Sequence, residues 1–452
     1  MEKRWELAGN VDSNTADRLR DALHVPSVVA RLLVQRGLTT PEAAEAFFHP
    51  SREGLYDPFL FTDMDAAAER IVEALREKQR IVIYGDYDVD GITATSLLYL
   101  FFRELGGDIC YYIPNRQAEG YGLSLDGIQF AVKEKARLLV TVDCGVTAVA
   151  ESRQAREAGL DVIISDHHQP GPELPEAVAV INPKVEGSGY PFTELAGVGV
   201  AFKLAQGVLR RLDLDPSYLD KHLDLVAVGT SADIVPMVEE NRIFVRLGLE
   251  KLSQDPQTGL RTLIETANLR HGRASVTQIV YGVAPRINAV GRMGSADPAI
   301  ELLITGNVQR ALHLASILET ENRRRRAIDS RTLEEALQLA GEQFEPERDS
   351  ALVLAQENWH SGVIGIVASR LIERFYRPTV MISVENGIGK GSARSIPGFD
   401  LYRALEQCQD LLLEFGGHTY AAGLSIEAGK IPELRRRLNE VAAKMLGSDD
   451  LV

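Results

Sequence analysis

Three aspartates stand close together after a short apolar run near residue 85. Asp86, Asp88 and Asp90 fall within five residues, directly before a helix-like stretch. Left unpaired, the three carboxylates would repel one another and raise each other's pKa. The spacing therefore indicates that a positive group, such as a metal ion, is held among them.

Other acidic and imidazole side chains follow further apolar runs. Asp143 follows LLVTV, and the sequence Asp166, His167, His168 follows DVIIS. A fourth apolar segment, LDLVAVGTSADIVPM, carries Asp233. In an open parallel sheet, ligands bind outside the carboxyl ends of the strands. The pattern therefore predicts that these side chains converge at one edge of a sheet.

The residue types favour a particular metal chemistry. Carboxylates and neutral imidazoles around an open site suit manganese or magnesium better than zinc. Four or five carboxylates with one or two histidines are enough for two divalent ions about 4 Å apart, which can activate water and stabilise charge on phosphoryl oxygens. The predicted cofactors are two divalent ions, Mn²⁺ in preference or Mg²⁺, and the predicted reaction is attack on a phosphorus centre.

Each residue also has a structural interpretation. An aspartate at a strand end is often a helix N-cap, which would account for Asp143 or Asp233 taken singly. Adjacent histidines such as His167 and His168 are often surface loop residues. Several independent caps would not gather at consecutive strand ends of one sheet, so the residues together favour a metal site.

The elements that position these residues follow from the hydrophobic pattern. Between residues 76 and 240, short β-branched runs alternate with helix-like stretches, which is typical of a doubly wound, mostly parallel sheet. Residues 241–345 are predicted to be a helical, Arg-rich connecting region, and residues 346–452 a second α/β domain with a glycine-rich hairpin at ENGIGKGSARS. Residues 1–75 are predicted to be a helical appendage, in which TTPEAAEAFF has the residues that begin a helix. The predicted fold class is α/β: two α/β domains joined by a helical segment, with the active site in the cleft between them.

Composition limits the class of protein. The 452 residues, 45% hydrophobic and 25% charged, predict a folded chain with two large domains. The three cysteines lack the C-x-x-C spacing of zinc or redox sites. The N-terminus lacks a signal-peptide core, and no apolar run approaches the length of a membrane span. We therefore expect a cytoplasmic protein without a membrane partner.

Charge is unevenly distributed along the chain. The net charge of −15 argues superficially against a polyanionic ligand. From Arg242 to Arg331, however, 14 Lys and Arg stand against 8 Asp and Glu. The asymmetry suggests a local basic surface, although the run ENRRRR also fits a solvated helix face.

Several motifs occur together in an order that is familiar. GDYDVDG, VTVDCG, SDHH and GTSADIVPM resemble the four motifs of the DHH phosphoesterase superfamily. PRINAVGR, WHSGVIGIVASRL, GKGSARS and FGGHTYAAG resemble signatures of the bacterial RecJ single-stranded-DNA exonucleases, the last two from the DHH-associated domain. The resemblance covers nearly the whole chain and identifies residues 76–240 as a DHH domain and 346–452 as a DHH-associated domain that binds substrate.

The resemblance implies roles for the acidic set. Asp143 would bridge two divalent ions, and Asp86 would be a ligand or a partner of the ligands. His168 would face the scissile phosphate as a charge stabiliser. Some superfamily members supply a histidine ligand where this chain has Tyr84, so one ion would have fewer protein ligands. The implied metal ligands are Asp86, Asp88, Asp90, Asp143, His167 and Asp233, and the implied catalytic residues are Asp88, Asp90, Asp143, His167, His168 and Asp233.

The resemblance also implies a substrate path. A terminal phosphate would be held by a serine and arginines, since arginine suits bidentate phosphate contact, and glycines would let the backbone approach a phosphate. Other arginines would track the strand's backbone. The implied substrate-binding residues are Arg116, Arg286, Arg292, His360, Ser392, Arg394, Gly416, Gly417 and His418.

The implied activity is a 5′-to-3′ exonuclease on single-stranded DNA that releases 5′-mononucleotides in DNA repair and recombination. Single-stranded DNA is the implied partner, with a single-stranded-DNA-binding protein or a helicase as further partners. RecJ enzymes usually carry a further oligonucleotide-binding barrel, and from the resemblance we expect these 452 residues to lack one. Such barrels add charged and stacking surface that bears on affinity and processivity.

Three other functions remain open on the motifs. A DHH-family phosphodiesterase acting on short oligoribonucleotides or cyclic dinucleotides shares the metal motifs, but such enzymes are generally shorter. A family pyrophosphatase lacks the GGHTYAAG type of signature. A non-catalytic nucleic-acid scaffold would have lost ligands, whereas the acidic set is complete here.

Overall fold

The structure is a computed structural model that describes residues 9, 11–116, 118–269, 274–447 and 450. It divides into two compact units, one of residues Gly9–Asn322 and the other of the chain from Arg323 onward. Each unit has its own β-sheet and its own buried apolar core. In the part of the chain that is described, no helix is both long and apolar enough to cross a membrane.

The first unit begins with four helices: α1 (Ser13–Leu23), α2 (Ser27–Gln35), α3 (Pro41–Phe48) and α4 (Met64–Arg76). The start of α3 agrees with the prediction from TTPEAAEAFF. The Thr40 side chain accepts a hydrogen bond from the amide of Ala43, and Pro41 occupies the first turn, where no backbone donor is needed.

The sheet of the first unit is parallel throughout. Its strands are β1 (Arg80–Gly85), β2 (Asp108–Tyr112), β3 (Leu138–Val142), β4 (Asp161–Ser165) and β5 (Ala179–Ile181), in the order β2-β1-β3-β4-β5. The helices α5 (Val89–Glu104), α6 (Leu125–Lys133) and α7 (Val149–Glu157) connect the strands. Alternate residues of β1 belong to different apolar clusters: Ile81 and Ile83 to one, Val82 and Tyr84 to another. Both faces of the sheet are therefore covered, which confirms the predicted doubly wound architecture.

Helices make up the rest of the first unit. They are α8 (Gly197–Arg211), α9 (Leu223–Ala232), α10 (Glu239–Gln254), α11 (Thr258–Thr266), the short α12 (Val276–Gln278), α13 (Ala284–Met293), α14 (Asp297–Ile304) and the long α15 (Val308–Gln343), whose last part belongs to the second unit. A π-helical turn, Ile279–Val283, joins α12 to α13. The described part of residues 241–345, predicted to be a helical connecting region, is helical, and its residues up to Asn322 belong to the first unit.

The second unit contains a mixed sheet. Its elements are β6 (Leu352–Glu357), α16 (Ser361–Phe375), β7 (Thr379–Glu385), β8 (Ile388–Arg394), α17 (Leu401–Glu406), β9 (Leu412–His418), β10 (Ala421–Glu427) and α18 (Ile431–Met445). The strand order is β6-β7-β8-β10-β9, with β6 parallel to β7 and the other pairs antiparallel. The predicted hairpin at ENGIGKGSARS is present: Asn386 and Gly387 both have positive φ at the turn between β7 and β8.

Candidate metal centre

The first acidic group lies in the turn between β1 and α5. Asp88 caps α5, and its carboxylate accepts hydrogen bonds from the amides of Asp90 (2.9 Å) and Gly91 (3.2 Å). Gly91 lies directly against the backbone of Asp86: a Cβ atom at Gly91 would come within 2.6 Å of it. The close backbone approach therefore requires glycine here, and it brings Asp86, Asp88 and Asp90 into one turn.

Asp90 is anchored by a second helix. Its two carboxylate oxygens accept hydrogen bonds from the amides of Gly197 (2.6 Å) and Val198 (2.9 Å), the first residues of α8. The positive end of a helix dipole favours a carboxylate at this position. Gly197 also lies directly against Asp143: a Cβ atom at Gly197 would come within 2.5 Å of Asp143 Oδ1.

Asp143 follows β3 in an unusual backbone conformation. Its φ of 60° lies in the left-handed region, which aspartate and asparagine tolerate better than most residues. Its amide donates to the carbonyl of Ser165 at 2.9 Å, so the backbone is fixed at the edge of the sheet. Backbone strain of this kind, which costs about 1–3 kcal/mol, concentrates at functional sites.

His167 lies at the centre of the acidic residues. Its Nε2 atom is 3.1 Å from Asp143 Oδ1, 3.6 Å from Asp233 Oδ2 and 3.9 Å from Asp90 Oδ2. Asp233 reaches this point from the C-terminal end of α9, and its other oxygen accepts a hydrogen bond from the amide of Ile234 (2.8 Å). Residues from β1, β3, β4 and α9 thus converge, as the sequence pattern predicts.

The ligand atoms form overlapping groups of metal-binding size. In each group the ligand atoms lie within 4.8 Å of one another. The groups are Asp86, Asp88 and Asp143; Asp90, His167 and Asp233; and Asp143, His167 and His168. Asp143 belongs to two of them and faces His167 of the third, so it occupies the position expected of a bridging ligand.

Three buried carboxylate oxygens in this cluster have no hydrogen-bond partner. They are Asp86 Oδ1, Asp143 Oδ1 and Asp233 Oδ2. Buried polar atoms in proteins are nearly always satisfied, so each unsatisfied atom calls for a partner of another kind. Three negative oxygens at one place fit a divalent cation, and the oxygen and imidazole donors are those that manganese and magnesium accept.

Burial and mutual repulsion shift the acid–base equilibria of the ligands. Burial raises the pKa of Asp86, Asp90 and Asp143 well above the usual range, and neighbouring aspartates raise it further. Burial and the charge of His168 lower the pKa of His167, so its imidazole is neutral, as a metal ligand must be. A bound cation would favour the ionised carboxylates and relieve this repulsion.

The pKa of His168 is shifted in the opposite direction from that of His167. Burial opposes its protonation, but a 2.8 Å hydrogen bond from Nδ1 to Asp166 and the charge of that carboxylate raise its pKa to about 9. The side chain is 43% exposed, so a positive imidazolium lies at the open side of the cluster. This position fits the predicted role of a charge stabiliser.

Asp166 is a positioning residue that the sequence analysis did not assign. Its carboxylate accepts hydrogen bonds from the amides of Val146 (2.9 Å) and His167 (2.7 Å) as well as from His168. Burial works against ionisation, yet these hydrogen bonds and the His168 charge lower its pKa. Its position directly before the two histidines was the only sequence signal.

Tyr84 is not a ligand. Its ring lies in the apolar cluster on the sheet face that Val82 also occupies, and its hydroxyl donates to the carbonyl of Gly122 (2.7 Å) and accepts from the amide of Ser124 (3.1 Å). Tyr84 thereby holds the loop that carries Tyr121, whose hydroxyl lies 3.0 Å from His168 Nδ1. In this chain Tyr84 therefore fixes the loop beside His168 instead of binding a metal ion.

Two predicted arginines lie beside the acidic turn, and one is engaged elsewhere. The Arg116 guanidinium stacks over the ring of Tyr87 at 5.1 Å, and the charges of Arg116 and Arg292 both act on the Tyr87 hydroxyl. Arg286 is held by Glu319, with Nε 2.6 Å from its carboxylate, and by the carbonyl of Gly282 (2.7 Å). Arg116 and Arg292 thus act on Tyr87 of the acidic turn, whereas Arg286 is held in an ion pair with Glu319.

The predicted residues of the second unit form two groups. His360 caps α16, with Nδ1 accepting from the amide of Gly362 (3.1 Å). Ser392 Oγ accepts from Arg394 Nη1 (3.2 Å), and both side chains pack against Gly365, where a Cβ would come within 3.0 Å of them. This arrangement places a hydroxyl and a guanidinium beside Gly365 of α16.

Gly416, Gly417 and His418 lie on β9, paired with β10. Gly417 has a φ of 145°, and a Cβ there would overlap the Ala421 carbonyl, so glycine is required for the hairpin. His418 Nδ1 accepts from the amide of Tyr420 (3.3 Å), whose ring is exposed. The hairpin end therefore presents backbone and two rings to solvent.

Comparison with known proteins supports this description. Residues 80–230 match the model of the DHH family, N-terminal domain, and residues 348–444 match the DHHA1 domain. The single-stranded-DNA-specific exonuclease RecJ of Bacillus subtilis is 44% identical over 99% of this chain. The RecJ of Dickeya dadantii is 38% identical, and the match covers 94% of this chain and 77% of the Dickeya protein.

Solved structures give the same result. RecJ of Thermus thermophilus in complex with Mn²⁺ superimposes with a TM-score of 0.82 at 33% identity over 96% of this chain. An exonuclease RecJ bound to manganese gives a TM-score of 0.75 at 36% identity, covering 85% of this chain and 96% of that one. The chain thus combines a DHH-family domain with a DHHA1 domain, and within that class of proteins it belongs to the RecJ family. It spans 56% of the length of the B. subtilis relative and 61% of the T. thermophilus chain.

Proposed function

We propose that the protein is a metal-dependent 5′-to-3′ exonuclease that acts on single-stranded DNA and releases 5′-mononucleotides, in DNA repair and recombination. The observation that carries the proposal is the set of three buried carboxylate oxygens without a hydrogen-bond partner, on Asp86, Asp143 and Asp233, in the metal-binding groups of a RecJ-family chain. The relatives' names, which specify single-stranded DNA, support the choice of substrate.

The residues divide between two cation positions. Asp86, Asp88 and Asp143 would hold one Mn²⁺ or Mg²⁺, and Asp90, His167 and Asp233 the other, with Asp143 next to both. When bound, the pair of ions supplies an activated water and stabilises negative charge on the phosphoryl oxygens. The protein's part is to fix the ligands: the amides of α8 hold Asp90, and the turn before α5 holds Asp88.

His168 would act on the phosphate itself. Its imidazolium lies at the open side of the cluster, where it can donate a hydrogen bond to a phosphoryl oxygen as charge develops. Asp166 keeps the ring oriented and protonated. Because the donor is already in place, the protein's dipoles need no reorganisation when negative charge develops on the phosphate.

The remaining assigned residues would bind the strand. In the first unit, Arg116 and Arg292 would supply positive charge beside the acidic turn, and Arg286, paired with Glu319, would track the strand's backbone. In the second unit, Ser392, Arg394 and His360 beside the first turn of α16 would hold a terminal phosphate, and Gly416, Gly417 and His418 would contact the strand. A cytoplasmic location and association with a single-stranded-DNA-binding protein or a helicase complete the proposal.

One time course tests the proposal. Single strands labelled at the 5′ or the 3′ end are incubated with Mn²⁺ or with chelator, beside matched duplex, oligoribonucleotide and cyclic dinucleotide substrates. We expect immediate release of a labelled mononucleotide from 5′-labelled single-stranded DNA only, and none with chelator. Immediate mononucleotide release from the 3′ label would refute the polarity, and faster cleavage of oligoribonucleotides or cyclic dinucleotides would favour that alternative.

A further inference from the structure

Two segments that orient metal-site carboxylates meet at one buried asparagine. Asn241, in the first turn of α10, is fully buried. Its Oδ1 accepts a hydrogen bond from the amide of Ala196 (3.3 Å), and its Nδ2 donates to the carbonyls of Glu194 (2.5 Å) and Pro236 (3.1 Å). Both donors and the acceptor of the carboxamide are thus used, and they join the segment before α8 to the segment after α9.

The first segment leads directly to Asp90. Ala196 is the N-cap of α8, and the next two amides, of Gly197 and Val198, hold the Asp90 carboxylate at 2.6 and 2.9 Å. A shift at Ala196 would therefore move both donors. Because Asp90 is buried and both of its carboxylate oxygens accept from these amides, its orientation depends on the two hydrogen bonds.

The second segment leads to Asp233. Pro236 lies three residues after Asp233, whose Oδ2 is unpaired and points to His167. Of the two intervening residues, Ile234 has a fully exposed side chain and only Val235 packs against the core of the unit. The buried hydrogen bond from Asn241 to the Pro236 carbonyl is an anchor close to the ligand.

We propose that Asn241 is a positioning residue for the cation position formed by Asp90, His167 and Asp233. It touches neither the cation nor the substrate, and acts by setting the separation of two backbone segments. The other position, formed by Asp86, Asp88 and Asp143, is built on the β1–α5 turn and the end of β3, and among the described contacts Asn241 makes none with either. The inference rests on the proposed function, because it concerns the same cations.

The neighbouring residue separates this role from general packing. Glu240 forms a buried ion pair with Lys203 of α8 (2.5 Å), accepts from the amide of Tyr56 (3.0 Å) and accepts from the Tyr190 hydroxyl (2.5 Å). This network docks α10 on α8 without Asn241. Substitution of Asn241 should therefore leave α10 in place while releasing the two segments.

The test measures Mn²⁺ binding by electron paramagnetic resonance titration of the full chain, together with the metal-free melting temperature. Asn241→Leu removes all three hydrogen bonds. Asn241→Asp keeps an acceptor for Ala196 and loses both donors, since an ionised carboxylate only accepts. Asn439→Leu is the matched control, because Asn439 likewise bridges two backbone groups, the Ala351 amide (2.9 Å) and the Arg435 carbonyl (3.1 Å), in the second unit.

We expect the wild type to bind two Mn²⁺ ions and Asn241→Leu to bind one of them about 10–100-fold more weakly, the usual effect of losing a group that orients a ligand. The kcat on single-stranded DNA should fall at low Mn²⁺ and recover as Mn²⁺ is raised, with KM for DNA unchanged. Asn439→Leu should lower the melting temperature without changing either affinity. If Asn241→Leu does not fold, Asn241→Asp should show the same selective weakening.

Unchanged affinity at both positions in a folded Asn241 variant, or equal weakening at both, would overturn the inference. So would a kcat that does not recover at high Mn²⁺, or a wild type that binds no Mn²⁺. A wild type that binds two ions but leaves single-stranded DNA uncut would refute the proposed function alone, while selective weakening in Asn241→Leu would still support the positioning role.

Discussion

At the scale of single residues, the centre is a set of acids whose charges the fold does not neutralise by itself. Asp86, Asp90 and Asp143 are buried, and burial together with mutual repulsion raises the pKa of each. Such an arrangement costs stability unless a cation completes it. Removing one of these charges should therefore have two effects, a loss of activity and a gain in the stability of the metal-free fold. The two effects can be measured separately.

Asp143→Asn should abolish hydrolysis while keeping the metal-free fold. Asparagine tolerates the left-handed backbone of this position and has the same size, so the change removes only the charge and the bridging oxygen. We expect kcat on single-stranded DNA to fall at least about 100-fold. The metal-free melting temperature should stay equal or rise. Activity above a few per cent of wild type would contradict the bridging role.

Asp166→Asn should lower the pKa of His168. The hydrogen bond and charge of Asp166 raise that pKa to about 9 in the folded protein, above the ordinary value of about 6.5. The pair therefore stabilises the metal-free fold below about pH 6.5, and this contribution is lost as pH rises toward 9. Urea unfolding at pH 6 and pH 9.5 should show a larger wild-type advantage over Asp166→Asn at the lower pH, because the loss of an acceptor for the backbone amides is the same at both; an equal advantage at both would contradict the assignment.

At the scale of secondary structure, the cluster depends on helix ends placed against strand ends. Two helices approach the acids where a residue lacks a side chain: α8 at Gly197, and α9 at Gly229, where a Cβ atom would come within 2.8 Å of Asp90 Oδ1. These glycines let the N-terminal amides of α8 reach Asp90 and bring the end of α9, with Asp233, into the site.

Gly197→Ala should therefore weaken metal binding. The added methyl group would displace the start of α8 from Asp143. In Gly199→Ala, two residues along the same helix, the methyl group would approach the flexible side chain of Leu195 at 3.2 Å and make an ordinary contact with Phe244 at 3.7 Å. Calorimetric titration with Mn²⁺ should show at least about a tenfold loss of affinity for Gly197→Ala and little change for Gly199→Ala. Equal affinities in the two variants would show that the helix start tolerates displacement.

Much of the fold and of the metal centre could be predicted from the sequence, because most of the ligands directly follow apolar strand segments. Strand ends carry their polar residues next in sequence, so Asp86, Asp143 and His167 could be assigned to one edge of a sheet from hydrophobic runs alone. Asn241 and Tyr121 act through hydrogen bonds to residues 45 and 47 positions away, and no local pattern marks such partners. Tyr84 departs from the superfamily's histidine, and only its packing shows what replaces the ligand.

At the scale of the whole molecule, the chain carries a net charge of −15 and concentrates several of its acids at one buried point. Cation binding should therefore stabilise the folded protein, because ions bind the folded chain and not the unfolded one. The effect belongs to the unit of residues Gly9–Asn322, which contains every candidate ligand.

Stabilisation by Mn²⁺ should depend on pH. The raised carboxyl pKa values mean that the metal-free fold retains protons that the unfolded chain has lost, so its stability falls as pH rises above about 4. Protons compete with the ion for the same oxygens. Thermal melts should show a rise of several degrees with saturating Mn²⁺ at pH 8 and a smaller rise at pH 5.5. A rise that is independent of pH would place the ion elsewhere.

In the proposed centre Asp143 contacts two cations. One cation is held with Asp86 and Asp88, and the other lies in the group centred on His167. The most direct measurement is anomalous diffraction from a crystal of the protein soaked in Mn²⁺. We expect two peaks about 4 Å apart, one beside Asp86 and Asp88, the other beside Asp90, His167 and Asp233, both in contact with Asp143. Peaks absent from this cluster, or a single peak out of reach of Asp143, would contradict it.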